Sequence, residues 1–199
     1  MRPAAALGAL LLIVLLTSIL PAASAPAKPL TLQQARQAIA SVREDLANLL
    51  WWGSEGPAHG SGAGYREVLS YCDMIAELDP HDIEAWGQGA YVAGLLGDQA
   101  GRTERYRRGI AANPQNHRLY FELGMTYVRK RDFRAAEPYL AKAAALPCPS
   151  LVVRSYAHCL DKLGKRSQAL AQWQRVLKMS PGDPVAQREI GRLSAGKGK

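Results

Sequence analysis

The sequence predicts an all-α chain of stacked helical repeats, a solenoid, and three observations lead there. Four helix-ending prolines, Pro80, Pro114, Pro147 and Pro181, recur once every about 34 residues. Proline cannot continue a helix, so each marks a stop and a re-entry. Between the stops, apolar residues return every three or four positions, the period of a helix with one buried face. A helix pair of that length cannot bury its apolar stripe alone, so each unit must stack on its neighbours.

The first element is an export segment rather than part of the fold. Arg2 is its single charge, an uncharged apolar stretch runs from Ala4 to Leu20, and Pro21 and small residues follow. Ala25-Pro26-Ala27 offers a small-x-small register for cleavage before Lys28, whereas a cut after Ala25 would be hindered by Pro26. The run is also at the short edge of the roughly 17–25 residues that span a bilayer. Cleavage and retention as an N-terminal anchor both stay open. Either way residues 28–199 are expected outside the cytoplasm, periplasmic or extracellular.

The repeat domain, 28–199, divides into units at about 31–81, 83–116, 117–149 and 150–183, with a capping helix over 184–193. In the first unit Thr31 caps a helix predicted to reach Trp52, with Leu32, Ala35, Ile39, Val42, Leu46, Leu49 and Leu50 on one face. From Gly53 to Gly64, five glycines and a proline predict a loop, and Tyr65 to Leu78 resumes as its partner helix. Glycine turns split the second and fourth units at Leu96-Gly97 and Leu163-Gly164; in the third the turn is Lys130-Arg131-Asp132, without glycine. Val185 to Leu193 is the last helix, with Gln187, Arg188 and Arg192 available to cover the end of the stack, and Ser194 to Lys199 is a frayed basic tail.

The third unit carries Tyr120, Leu123, Gly124, Tyr127, Phe133, Ala136, Leu140, Ala143 and Pro147 at fixed offsets. The fourth repeats them as Tyr156, Ala157, Leu160, Ala169, Trp173, Val176 and Pro181, and the second as Trp86, Ala90, Tyr106, Gly109 and Pro114. This pattern resembles the tetratricopeptide repeat family over residues 48 to 183. Leu49-Leu50-Trp51-Trp52, Leu78-Asp79-Pro80 and Glu84-Ala85-Trp86 also look like bacterial exported members. The second unit departs from the pattern with Arg102 where the family places Ala, which predicts looser packing there.

The resemblance implies a right-handed superhelix whose concave wall, built from each unit's first helix, binds peptide or protein. Carried over position by position, the wall is Glu84, Tyr91 and Leu95, then Arg118, Phe121, Met125 and Arg129, then Arg154, His158 and Lys162. The partner-binding candidates are therefore Tyr91, Arg118, Phe121, Met125, Arg129, Arg154, His158 and Lys162. The apolar ones stand there without a core reason, which suits recognition. The carboxylate clamp of chaperone-binding members requires Asn, and no wall position here carries one.

Composition bounds the chemistry. With 48% apolar and 21% charged residues among 199, the chain is neither disordered nor a multi-span membrane protein. Its three cysteines form no CxxC and no metal spacing; Cys72 falls at a core position and Cys148 is the most exposed of the three. His59, His81, His117 and His158 are scattered, with no nucleophile or carboxylate placed to work with them. No phosphate-binding glycine motif is present. These readings predict no enzyme, no cofactor and no metal. Charge is the feature that packing does not absorb: residues 28–99 hold four basic and ten acidic side chains, residues 100–199 twenty and seven. Such a basic half fits an acidic protein segment or anionic lipid, while export argues against nucleic acid. Arg118, Arg129, Arg154 and Lys162 are expected to form one basic wall unless Glu122 and Asp161 neutralise it.

Overall fold

The computed structural model of the 199-residue chain describes residues 62–195 without a break, together with Thr31 and residues 33, 34, 37, 38, 40–42 and 45. The segment predicted to direct export, Trp51-Trp52, the Gly53–Ser61 part of the predicted glycine loop and the extreme C-terminus lie outside these residues. The chain divides into two compact units, 1–40 and 41–199. In the first, Thr31 opens a helical stretch as expected. Its hydroxyl accepts from the Gln34 amide at 3.2 Å, and the Gln34 side chain accepts from the Thr31 amide at 2.9 Å. This reciprocal capping box satisfies two otherwise orphaned donors.

In the second unit, residues 62–195 fold as eight helices and no strand: α1 Gly62–Leu78, α2 Ile83–Leu95, α3 Gln99–Ala112, α4 His117–Arg129, α5 Phe133–Ala145, α6 Ser150–Lys162, α7 Arg166–Met179 and α8 Pro184–Ala195. Each packs on its neighbours in sequence, and α2 also touches α4. Helix starts are written in acidic and amide side chains. Asp82, Asp98, Asn116 and Asp132 each accept from a backbone amide of the first turn, and Asp183 accepts from Val185 and Ala186 at the start of α8. The turn inside each helix pair needs one left-handed residue. Gly97 (φ +81°) and Gly164 (φ +73°) supply it without strain, and Arg131 takes the same conformation at φ +60°. The predicted glycine-free turn thus has the shape of the glycine turns. One boundary differs from expectation: Gly62, Ala63 and Gly64 are the first turn of α1, not loop.

The core is a series of layers between successive pairs. Ile75, Trp86, Tyr106, Leu119 and Leu123 form one; Val153, Ala157, Leu160, Trp173 and Val176 form another. Trp86, Tyr106 and Trp173 are buried, while Tyr120, Tyr127, Phe133, Tyr139 and Tyr156 are half-buried against these layers. Tyr127 and Tyr139 stack with centroids 5.7 Å apart. In the second unit Arg102 does not loosen the packing as expected. Its guanidinium fills the space opposite Gly94, where a Cβ would come within 2.5 Å of it. Gly109 makes the complementary close approach, since a Cβ there would stand 2.7 Å from the Trp86 ring.

Candidate functional site

All eight wall residues lie on first helices: Tyr91 on α2, Arg118, Phe121, Met125 and Arg129 on α4, and Arg154, His158 and Lys162 on α6. Tyr91, Arg118, Arg129, His158 and Lys162 are exposed, whereas Phe121, Met125 and Arg154 are half-buried. The expectation that the apolar wall residues lack a core reason fails for two of them. Phe121 and Met125 pack against the cluster of Ala136 and Leu140 on α5 and Cys159 on α6. Leu151 belongs with the wall instead. It is 55% exposed and stands one repeat on from Arg118, which is the signal that could have found it.

The cations of the wall are not free as a set. Arg118 pairs with Glu84 across α4 and α2, and Arg154 pairs with Asp183 at the start of α8. Asp161 is taken by Arg192 at 2.5 Å, and Arg192 also bonds Glu189 at 2.8 Å. The neutralising carboxylates are therefore Glu84 and Asp183 rather than Glu122 and Asp161. The Asp183 carboxyl is held below its usual range by the Ala186 and Val185 amides and by Arg154. Among the described residues Arg129 hydrogen-bonds only Thr126 of its own helix, at 3.2 Å. Lys162 has no ion-pair partner among the described residues. His158 sets its ring edge-on to Trp173, centroids 4.7 Å apart. Burial lowers its pKa, against the opposing pull of Glu189 and Asp161.

Between α2 and α4 the wall encloses a cavity of about 210 Å³ lined by Glu84, Gln88, Tyr91, Tyr106, Arg118 and Glu122. A second, of about 220 Å³, lies on the other side of Gln88 and Tyr91, against Tyr65, Val68, Val92 and Leu95. Burial pushes the Tyr106 phenol above its ordinary pKa, and the Glu122 carboxylate adds to the shift. Gln88, Tyr106 and Glu122 were not legible as site residues, because the repeat pattern marks Tyr106 as core and is silent on the other two. Two of the thiols are held protonated by burial, which pushes Cys72 up to about 12 and Cys159 up to about 11. All three cysteines are free, with Cys148 the most accessible. Among the described residues no cluster of His, Cys, Asp and Glu could hold a metal ion, and no helix is long and apolar enough to cross a membrane.

No protein-family model and no curated protein matches the chain. Solved structures do match. YrrB, described as a TPR protein with an unusual peptide-binding site, is 24% identical, with 78% of this chain and 76% of that one covered at a TM-score of 0.57. A MamA structure is 16% identical, covering 80% and 83% of the two chains at a TM-score of 0.57. The first TPR of Spaghetti (RPAP3), bound to the HSP90 peptide SRMEEVD, is 21% identical over 59% of this chain and 96% of that one, at a TM-score of 0.50. With the helix pairs, their turns and the repeat spacing already in place, these likenesses establish that the fold is the tetratricopeptide-repeat solenoid.

Proposed function

We propose that the chain is a non-enzymatic scaffold that holds a segment of a partner protein on the face built by α2, α4 and α6. Exposure carries this reading. Tyr91, Leu151 and Leu95, at 56%, 55% and 48%, are the most exposed large apolar side chains of residues 62–195, and all three sit on first helices. Covering apolar area is worth roughly 25 cal/mol per Å², so a partner laid along this face gains where the fold itself does not. The peptide bound by the RPAP3 domain supports the reading as an analogy of fold. An acidic segment suits Arg129 and Lys162, which no carboxylate of the described residues occupies. The export segment in the sequence supports a place in the cell envelope.

The test is photo-cross-linking in cells. A benzoylphenylalanine at position 91, 121 or 151 should capture a common partner, and one at Gln168 on α7 should not. Capture from position 168 alone would move the binding face elsewhere.

A further inference from the structure

The opposite side of the molecule carries a second surface. Arg108, Lys142 and Arg175 follow one another at the repeat period, so they occupy the same repeat position on α3, α5 and α7. Stacking the pairs therefore sets them in a row. Exposure agrees: Arg134, Pro138 and Lys142 are exposed at every fourth position on α5, and Ala171 and Lys178 are exposed two turns apart on α7, with Arg175 half-buried between them. Arg107, Arg134 and Lys178 flank the row.

These cations keep their charge. Arg108 lies over the Trp86 ring, 5.1 Å from its centroid, and the neighbouring Tyr139 raises the pKa of Arg107; neither contact neutralises a guanidinium. Arg134, Lys142, Arg175 and Lys178 have no ion pair among the described residues. The only carboxylates on the three helices are Glu104 and Glu137, and Glu137 is taken by Lys165 at 2.5 Å. On α4, α6 and α8 most are paired: Arg118, Arg154, Arg188 and Arg192 have carboxylate partners, and among the described residues Arg129 and Lys162 have none.

We propose that this outer face of α3, α5 and α7 docks onto an anionic phospholipid surface. Between the cations stand Ala111, Pro138, Ala145 and Ala171, all exposed, and Met179, 40% exposed. They present small or apolar contact; the exposed acceptors beside the cations are few, Glu104 on α3 and Gln174 on α7, which is little with which to read a particular protein sequence. The nearby aromatics are buried or half-buried, which leaves no platform on which bases could stack. Long basic side chains over an apolar ground suit a diffuse negative plane, to which each adds attraction near the surface. The apolar run from Ala4 to Leu20 would bring the chain to the same surface.

The test is vesicle co-sedimentation of the full chain, comparing pure phosphatidylcholine with a two-to-one mixture of phosphatidylcholine and phosphatidylglycerol. The readout is the increment due to the anionic lipid, which removes any contribution of the apolar run. We expect at least tenfold tighter binding to the anionic vesicles, abolished by about 0.5 M NaCl as the charges are screened. The triple variant R134E/K142E/K178E should lose the increment while keeping its helical circular dichroism, and R129E/K162E, on the first-helix face, should retain it. No anionic increment, or one unchanged in the triple variant, would overturn the proposal. So would binding to heparin or duplex DNA in the absence of vesicle binding.

Discussion

The α6–α7 pair and the α2–α3 pair are the same repeat built in two ways. In α6–α7 the motif residues make the core directly: Trp173, Val153, Ala157, Leu160 and Ala169 are fully buried with no charge among them. In α2–α3 the Ala position is Arg102, the neighbouring helix answers with Gly94, and Gly109 lets Trp86 approach. Arg105 then reaches Asp73 on α1 with two hydrogen bonds, at 2.9 and 2.7 Å. The repeat shape therefore survives a large residue at a small position when the facing residue shrinks in step. What is preserved is the summed volume between helices, as close-packed interiors require.

The comparison can be broken most severely in the apolar pair. Trp173→Ala should cost roughly 3–5 kcal/mol, because a fully buried indole leaves a cavity that its neighbours cannot fill. Urea unfolding measures it, and a loss under about 1 kcal/mol would mean that α7 is not packed as described. In the compensated pair, Gly109→Ala should cost about 1–3 kcal/mol, since the added methyl meets the Trp86 ring and Leu119. A neutral result would show that Trp86 can step aside. Asp73→Ala should lose about 1 kcal/mol, less at high salt, because Asp73 is partly exposed and Arg105 mostly covered. The smallest effect has the opposite sign. Arg131→Gly should raise stability by under about 1 kcal/mol, as the left-handed turn no longer carries a Cβ. If thermal unfolding shows a loss instead, the Arg131 side chain has a role that the turn geometry does not reveal.

Two groups predict how the fold responds to solution conditions. The lowered pKa of His158 means that its contribution is complete above about pH 6.5, the ordinary value, and is lost as pH falls through the lower folded value. Replacing His158 with Gln should flatten that part of the stability profile. A thiol-specific disulfide reagent at mildly alkaline pH should label Cys148 first and Cys72 and Cys159 only on unfolding, following their burial.

The fold was legible because proline spacing and helical periodicity are local signals that survive without knowledge of neighbours. Helix ends, turns and the buried Trp173 all followed from them. The site was half legible. Repeat position puts Tyr91, Arg118 and His158 on first helices, but it cannot say whether a charge there is free. Arg118 finds Glu84 one repeat back, and Arg154 finds Asp183 at the start of α8, two helices further along the chain. Such partners are set by how helices stack, which no short stretch of sequence encodes. Phe121 and Met125 misled for the same reason. Their repeat position says wall, and packing against Ala136, Leu140 and Cys159 makes them partly core.

The bracing of the first helices is uneven, and this has a mechanical consequence. Among the described residues, ion pairs tie α2 to α4 and α6 to α8, while none ties α4 to α6. That middle seam is held by Phe121 and Met125 in apolar contact. Bending compliance along the face should therefore answer to two different variables. Added salt softens the outer seams by screening their charges. Cooling softens the middle one, because apolar association weakens as temperature falls. A scaffold built this way has three joints in series with two kinds of spring, and a partner spanning all of them loads the middle joint most evenly across ionic conditions.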